Sequence, residues 1–321
     1  MTTSNPSPAS PPAQDAAWPS VTVIIPTRGR PDLVRESIAS VVGQDYPGEI
    51  DCIVVHDREP ADQDLTQPAR PGRQVRVTAN THSPGLAGAR NTGLGLARTE
   101  FIATCDDDDT WHPDKLRTQI ARLLGEPGLL VVGSGIRLLL ARGRTLDWPG
   151  RAEQISYRLL LRNRVEELHS STLVMRREAF EKAGPYDEEL PNGYAEDYDW
   201  VLRAAKSGPI GVVREPLADI RKNATSWYRG VAANAAPALE LMLAKHPDFA
   251  ISRRGHARIL GQIAFARSSL GERGPAVRYA LKALIRWPFS PFPYIALAHT
   301  ATGVHPQQML RVARLFRRGM A

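Results

Sequence analysis

Two uninterrupted runs of β-branched and apolar residues constrain the fold of this 321-residue chain more than any other feature. They are Val21–Ile25 and Cys52–Val55, and neither shows the polar–apolar alternation of a half-exposed strand. Strands of this kind are buried on both faces, which is typical of parallel sheets covered by helices. A helical pattern that opens on Pro31 follows the first run. The sequence therefore predicts an α/β domain with a mostly parallel central sheet.

Polar residues follow three of the predicted strands where each strand ends. They are Pro26-Thr27, His56-Asp57 and the four consecutive aspartates Asp106–Asp109, which come after the apolar run Phe101–Cys105. Because ligands bind beyond the carboxyl ends of the strands in such sheets, these residues are expected to meet at one edge. Adjacent carboxylates repel one another, so a cation is expected beside the aspartates. A solvated acidic turn is the simpler alternative.

The aspartate run suits a hard divalent cation. Oxygen ligands favour Mg²⁺ or Mn²⁺, which commonly join one or two carboxylates to substrate phosphates. If the backbone is extended here, Asp106 and Asp108 point to one side, because strand side chains alternate. A calcium EF-hand fits poorly, since the twelfth residue counted from Asp106 is Arg117 and the sixth is not glycine.

Composition suggests three segments: a disordered tail rich in Pro, Ser, Thr and Ala at 1–18, a domain at 19–230, and a basic helical extension at 231–321. Residues 230–321 carry 13 Lys or Arg against 3 Asp or Glu, a net charge of +10, whereas the remainder carries −3. The positive charge is thus concentrated in one segment. It gives no reason to expect a nucleic-acid partner.

The chain contains no run of about 18 uncharged apolar residues, so no membrane span is predicted. A cytoplasmic protein is expected. Cys52 and Cys105 fall in predicted strands and are expected to be buried, reduced thiols. Residues 309–320 form an amphipathic basic pattern that suits the inner surface of a membrane. Packing of that pattern on the catalytic domain, or on a second subunit of a homo-oligomer, is the alternative.

The turn after the first strand, residues 26–31, has one glycine and two arginines, so the dinucleotide fingerprint is absent. The motifs resemble instead those of family 2 glycosyltransferases. In chain order they are Val23–Thr27, Val54–Asp57, Gly85–Gly93, Asp106–Trp111 and the pair Glu196-Asp197. The resemblance covers about residues 20–230. It implies the GT-A fold, a nucleoside-diphosphate sugar donor, Mn²⁺ or Mg²⁺, and inversion at the anomeric carbon.

The resemblance also implies roles for single residues on the donor side. Asp108 is the first candidate metal ligand, and Asp106 is expected to contact the metal or the donor ribose. Asp57 is expected to recognise the nucleobase, although the usual family pattern has two acidic residues where this chain has His56-Asp57. Arg90 is expected to reach the diphosphate or the base, with an arginine on the helix surface as the alternative. The other predicted donor-side residues are Pro26, Thr27, Arg28 and Asp107. Asp107 and Asp109 are expected in supporting or solvated positions.

On the acceptor side, Asp197 is the predicted general base and Glu196 its structural or acceptor-binding partner. Inversion requires direct attack by an acceptor hydroxyl, so one carboxylate must take the proton. The acceptor is expected to be a carbohydrate, a lipid-linked sugar or a small molecule. His169 is expected to be structural, with a contact to the acceptor or a phosphate as the alternative, and His112 is expected at the entry to a helix. Trp111 and Trp200 are expected to be packing residues or walls that stack on a sugar, and not catalysts.

Two alternatives to a glycosyltransferase remain open from the sequence. A sugar nucleotidyltransferase would need a glycine-rich turn with an activating Arg and Lys after the first strand, and the turn at 26–31 lacks that pattern. A non-catalytic homologue that binds sugar nucleotides or serves as a scaffold would not need the carboxylates Asp106, Asp108 and Asp197.

Overall fold

The computed structural model describes residues 17–66, 71–221 and 230–304, which fall into two compact units. The first unit comprises the described parts of 1–157, 165–188 and 196–223, and the second those of 158–164, 189–195 and 224–321. The predicted amphipathic helix at 309–320 lies outside the described residues, as does nearly all of the predicted tail at 1–18. The predicted boundary between a domain at 19–230 and an extension at 231–321 stays a proposal.

A ten-stranded sheet forms the centre of the first unit. Its strands are β1 (Val21–Thr27), β2 (Ile50–His56), β3 (Arg73–Ala79), β4 (Phe101–Thr104), β5 (Thr110–Trp111), β6 (Val131–Leu139), β7 (Thr145–Trp148), β8 (Gln154–Ile155), β9 (Val174–Arg176) and β10 (Ile210–Arg221). They are ordered β3-β2-β1-β4-β9-β6-β10-β5, with β7 beside β6 and β8 beside β10. The predicted parallel pairing holds for β3-β2-β1-β4 and for β6 with β10. Antiparallel pairs join the rest, so the sheet is mixed.

Helices flank the sheet and make up most of the second unit. They are α1 (Pro31–Val42), α2 (Leu86–Leu96), α3 (Lys115–Gly125), α4 (Tyr157–Arg162), α5 (Arg177–Ala183), α6 (Glu196–Ala204), α7 (Gly230–Lys245), α8 (Arg253–Ser269), α9 (Arg273–Arg286) and α10 (Pro291–Thr302). The predicted α/β fold with a helical C-terminal extension is confirmed. Among the described residues, none of these helices is both long enough and apolar enough to cross a membrane.

The register of the sheet brings three strand ends to one edge. Thr27 pairs with His56, and Ile24 pairs with Thr104, in parallel ladders. The polar residues that follow β1, β2 and β4 therefore lie side by side, as the sequence predicts. The extended backbone expected for the aspartates is wrong, however: β4 ends at Thr104, and Asp109 N donates to Asp106 O over 3.2 Å in a turn. Side-chain alternation consequently does not orient these carboxylates.

Residues 169–176 contain only one short strand. Only β9 is extended, and His169 lies between two 3₁₀ turns, Glu166–Leu168 and Ser170–Thr172. The Thr172 hydroxyl donates to Glu167 O at 2.9 Å and to His169 O at 2.7 Å. Such side-chain bonds to local carbonyls compete with a sheet ladder and favour turns.

The helix α2 packs directly on β1 because Gly93 has no side chain. A Cβ at this position would lie 2.5 Å from Cγ2 of Ile24, which is fully buried in β1. Real carbon atoms do not approach so closely, so the helix and the strand would have to separate. The close approach fixes the position of the motif at 85–93 above the sheet.

Gly93→Ala is expected to lower the free energy of unfolding by about 1–3 kcal/mol, because the added methyl group overpacks the contact with Ile24. Gly95 in the same helix provides a matched control, since a Cβ there would meet nothing within 4 Å. Gly95→Ala should leave stability unchanged or raise it by up to about 1 kcal/mol through helix propensity. Urea denaturation of both variants measures the difference, and equal effects would contradict this account of the packing.

Candidate active site

Asp107 is buried and ties the aspartate turn to the end of β1. The Thr27 hydroxyl donates to its Oδ2 at 2.8 Å, and the backbone N–H of Arg28 donates to the same oxygen at 3.4 Å. Arg30 Nη1 donates to Asp107 Oδ1 and to Asp108 Oδ2, both at 2.9 Å. Burial raises the pKa of Asp107, and the hydrogen bond from Thr27 opposes this rise. Of the two predicted positions for Asp107, burial excludes the solvated one.

Asp109 is also enclosed, with an exposed fraction of 2%. Ser171 Oγ donates to its Oδ2 at 2.6 Å, and the backbone N–H of Arg221 donates to its Oδ1 at 3.0 Å. Burial raises the pKa of Asp109 to about 7, an effect that the neighbouring His169 opposes. A solvated position is excluded here as well. Asp109 connects the aspartate turn to β10 and to the turn that carries Ser171.

A group of three side chains could hold a metal ion: Asp106, Asp109 and His169. One ligand atom of each lies within 4.8 Å of the other two. Carboxylate oxygens with one imidazole nitrogen are a donor set that Mn²⁺ accepts. This group differs from the predicted pair Asp106 and Asp108: it includes Asp109 and His169 and leaves out Asp108, which is hydrogen-bonded to Arg30.

Arg90 joins the aspartate turn to the start of α6. Its guanidinium is 1% exposed, and its Nη2 donates to Asp106 Oδ1 at 2.7 Å. Its Nη1 donates to Glu196 Oε1 at 2.5 Å, and the group lies 5.3 Å from the ring centre of Tyr186. Arg90 is thus enclosed by two carboxylates of the protein, whereas the sequence predicted a contact with the donor. The contact between Arg90 and Glu196 joins residues that are 106 positions apart in the sequence.

Glu196 and Asp197 begin α6 inside this enclosure, and both are buried. Burial raises the pKa of Glu196 to about 7, although the Arg90 guanidinium opposes the rise. Asp197 Oδ1 accepts a hydrogen bond of 2.7 Å from the N–H of Tyr198. Burial lowers the pKa of the Arg90 guanidinium, but the nearby Asp106, Glu196, Tyr186 and Asp197, in decreasing order of effect, raise it above its usual value. The candidate base and the aspartate turn therefore belong to one electrostatic cluster.

Asp57 follows β2 and braces the start of α2. Its Oδ1 accepts hydrogen bonds from Asn80 Nδ2 at 3.0 Å and from Gly85 N at 2.9 Å, and its own N–H donates to Thr27 O at 2.9 Å. Its Oδ2 lies 3.6 Å from the Nε of Arg58. Asp57 thus lies at the predicted edge, where it supports the helix that carries Arg90.

Neither tryptophan of these motifs forms a wall of an open cavity. Trp200 is fully buried against Phe180 and Tyr186, with ring centres 4.7 Å and 5.7 Å away. Trp111 is also buried, and its Nε1 donates to Ser171 O at 2.8 Å. Both residues are packing residues of the first unit.

Sequence reasoning missed three residues that hold the site together: Arg30, Ser171 and Arg221. Arg30 lies in the turn after β1, so two arginines beside a predicted acidic cluster were an available signal. Arg221 also donates through Nε to Asp108 O at 3.2 Å and through Nη2 to Glu36 Oε2 at 2.7 Å. Nothing in the local sequence of Ser171 or Arg221 indicates these contacts, because both are made across the sheet.

Lys115 lies at the start of α3, with its Nζ 4.1 Å from the ring centre of Trp111. The side chain is fully buried, and its Nζ has no hydrogen-bond partner among the described residues. Burial lowers the pKa of Lys115 to about 7. A base whose pKa is lower in the folded than in the unfolded state binds fewer protons when folded. Its contribution therefore makes stability rise with pH between about pH 7 and about pH 10.

Lys115→Met is expected to raise the free energy of unfolding at pH 7 by about 1–3 kcal/mol, because an apolar chain replaces a buried ammonium. The gain should shrink by about pH 9, where the unfolded chain holds the proton less firmly. Urea denaturation at both pH values measures this. Lys182→Met, at an exposed lysine of α5, is the control and should change little. A loss of stability at pH 7 would show that Lys115 has a role that burial does not reveal.

The sequence profile described as glycosyl transferase family 2 matches residues 22–184. The pre-mycofactocin glycosyltransferase of Mycobacterium tuberculosis is 27% identical to this chain over 239 residues, which are 71% of this chain and 48% of that protein. The chain spans less than half the length of several curated relatives that it matches.

Two solved structures resemble the chain in fold. Residues 1–349 of TarS from S. aureus, in complex with UDP-GlcNAc, give a TM-score of 0.60 at 19% identity, covering 94% of this chain and 92% of that one. The mannosyltransferase PcManGT from Pyrobaculum calidifontis, in complex with GDP-Man and Mn²⁺, gives 0.53 at 19% identity, covering 89% and 88%. At such identities the likeness concerns the fold, and it confirms the predicted GT-A architecture.

The family match covers half of the chain and includes β1, α2 with Arg90, and the aspartate turn, but it ends before Glu196. The predicted family is confirmed: the chain belongs to glycosyl transferase family 2.

Proposed function

We propose that the protein transfers a sugar from a nucleoside-diphosphate sugar to an acceptor hydroxyl, with inversion at the anomeric carbon. The observation that carries this proposal is the Arg90 bridge, which links Asp106 at 2.7 Å to Glu196 at 2.5 Å. This bridge joins two groups of carboxylates. One group is suited to a cation and a diphosphate, and the other is suited to proton removal. Inverting transfer needs both kinds of group in one site.

The donor is proposed to bind along the edge formed by the ends of β1, β2 and β4. Pro26 and Thr27 end β1, Arg28 follows them, and Asp57 follows β2. Asp106 and Asp107 provide the carboxylates on the side of β4. The solved complexes of TarS with UDP-GlcNAc and of PcManGT with GDP-Man support a sugar nucleotide as the ligand class.

A divalent cation is proposed to bind at Asp106, Asp109 and His169, with Asp108 as the alternative ligand from the sequence. The complex of PcManGT with Mn²⁺ supports this class of ion. Such an ion, when bound, would stabilise the negative charge that develops on a diphosphate leaving group. Asp107, held by Thr27 and Arg30, keeps the turn in the position that presents these ligands.

Asp197 is proposed to act as the general base. In one displacement, the acceptor oxygen forms a bond to the anomeric carbon while the bond from that carbon to the diphosphate oxygen breaks. The hydroxyl proton passes to a carboxylate oxygen of Asp197. Glu196 then has a positioning role, because its ion pair with Arg90 fixes the first turn of α6. The enclosure limits access of water, which would otherwise compete with the acceptor.

A panel of nucleotide sugars tests the proposed donor class. With Mn²⁺ present, one or more donors should raise the melting temperature and release nucleoside diphosphate slowly in the absence of acceptor. Stabilisation by a donor without any release or transfer would favour the alternative of a non-catalytic binding homologue. No binding by any member of the panel would overturn the proposal.

Removal of the divalent cation by a chelator is expected to reduce transfer to background, and Mn²⁺ should restore it. Titration calorimetry of Mn²⁺ then separates the two ligand sets. His169→Ala should weaken Mn²⁺ binding about tenfold or more, since a ligand is lost. His112→Ala is the matched control and should leave Mn²⁺ binding unchanged, because His112 is a half-buried histidine that pairs with Asp219. If Asp108→Asn weakens binding and His169→Ala does not, the ligand set predicted from the sequence is the correct one.

A further inference from the structure

The fully buried side chains of α9 are small, and Tyr279 packs partly against them, whereas two large apolar side chains of the helix are exposed. Ala276, Ala280 and Ala283 are buried, and Ala280 packs with Ala264 of α8 and Ala296 of α10. A surface helix of a globular protein ordinarily places its large apolar residues on this inward face. The buried alanines of α9 already pack against neighbouring helices of the second unit. Their packing does not explain why large apolar residues of the same helix are exposed.

The outward face of α9 is continued by residues that follow the end of the helix. Leu281, Ile285 and Phe289 are 51%, 77% and 80% exposed and are spaced four residues apart. The spacing of Leu281 and Ile285 places both on one face of α9, and Phe289 lies in the segment that follows the helix. Phe289 is held by Trp287, with ring centres 5.5 Å apart in an edge-to-face arrangement.

Cations are interleaved with this stripe. Arg278, Lys282 and Arg286 fall at three- and four-residue spacing among the apolar residues, and all three are exposed. The helix itself contains four Lys or Arg and no Asp or Glu. The stretch from 253 to 304 has eight basic residues against one acidic residue. The outward face therefore combines exposed apolar groups with charge of a single sign.

We propose that this face of α9, defined by Leu281, Ile285 and Phe289 with Arg278, Lys282 and Arg286, binds the surface of an anionic lipid bilayer. Apolar side chains enter the boundary between headgroups and acyl chains, while cations beside them contact anionic headgroups. Long basic side chains reach the headgroups while their stems stay in contact with apolar surface. This surface is distinct from the pattern at 309–320 and from the proposed sugar-transfer site.

Charge argues against the two other occupants of an exposed apolar face. A second copy of the chain would place the same cations opposite one another across a two-fold interface, which is unfavourable. The segment 305–321 carries four arginines and no acidic residue, so it is repelled by the same face. An anionic lipid surface is complementary to both the charge and the apolar stripe.

Flotation of the full-length protein with vesicles tests the proposal. The protein should bind phosphatidylglycerol-containing vesicles, bind pure phosphatidylcholine vesicles at least about tenfold more weakly, and lose binding as salt increases. Ile285→Glu should weaken binding about tenfold or more, because an inserted apolar group becomes an anion. Lys282→Gln and Arg286→Gln should each weaken it about fivefold.

Leu146→Glu is the matched control, since Leu146 is a 49% exposed leucine on β7 of the first unit. It should bind vesicles as the wild type does, and circular dichroism should show that all variants are folded. Unchanged binding by Ile285→Glu would overturn the proposal. So would equal binding to both vesicle types, loss of binding only when Arg311, Arg314, Arg317 and Arg318 are replaced, or a dimer in light scattering that Ile285→Glu dissociates.

Discussion

Asp197→Asn is expected to lower the rate of sugar transfer about 10²–10⁴-fold, the usual contribution of a positioned general base. The amide has nearly the same shape as the carboxylate, and it can still accept the hydrogen bond that the N–H of Tyr198 donates at 2.7 Å. The folded structure and donor affinity should therefore change little. Initial rates with the donor identified by the panel, together with donor binding by calorimetry, measure the two quantities separately.

Asp114→Asn is the control for this substitution, because Asp114 is an exposed aspartate before α3 and lies outside the cluster. It should transfer sugar at the wild-type rate. If Asp197→Asn loses donor affinity in proportion to rate, Asp197 belongs to the donor site. If it keeps the full rate, another group takes the proton, and the assignment of the base is wrong.

Arg90→Met is expected to lower the free energy of unfolding by about 3–5 kcal/mol, which is the usual cost of removing one partner of a buried ion pair. Without the guanidinium, Glu196 is left as a buried acid with no opposing charge, and Asp106 loses its 2.7 Å partner. Arg98→Met, at an exposed arginine after α2, is the matched control and should change stability by less than about 1 kcal/mol.

A double-mutant cycle distinguishes the bridge from ordinary packing. Replacing Glu196 by Gln in the Arg90→Met background removes the unpaired acid, so the double variant should be more stable than Arg90→Met alone. The coupling is expected to be about 1–3 kcal/mol. Strictly additive effects would mean that the Arg90–Glu196 contact contributes no specific interaction, and that the proposed link between the two carboxylate groups has no energetic basis.

The edge of the sheet that carries the site could be predicted from the sequence. Buried β-branched runs identify strands, and the parallel pairing of β1 with β2 and β4 then places Thr27, Asp57 and the aspartates together. Periodicity and strand-end chemistry are local properties, so one sequence is sufficient for them. The start of α6 at Glu196 could be predicted for the same reason.

The orientation of the aspartates could not be predicted. The side-chain alternation that predicts a pair of Asp106 and Asp108 requires an extended backbone, and the chain turns after β4. Which carboxylates are buried depends on partners far away in sequence: Thr27 for Asp107 at a separation of 80 residues, and Arg221 for Asp109 at 112. No local pattern encodes such partners. The contact between Arg90 and Glu196 could not be predicted for the same reason.

The outward stripe of α9 shows a different limit. An apolar pattern in a helix is ordinarily assigned to the side that packs inward, and only the burial of Ala276, Ala280 and Ala283 shows that the inward side is made of alanines. The exposure of Ile285 and Phe289 thus becomes evident only in the folded chain.

The anomeric configuration of the first product tests the central claim most directly. With an α-linked donor from the panel, proton nuclear magnetic resonance during early turnover should show the β-linked product, or β-sugar if water is the acceptor, before any mutarotation. This result requires a single displacement with a base opposite the leaving diphosphate, as proposed for Asp197. An α-configured first product would contradict the account, because two displacements or a different geometry of attack would then be needed.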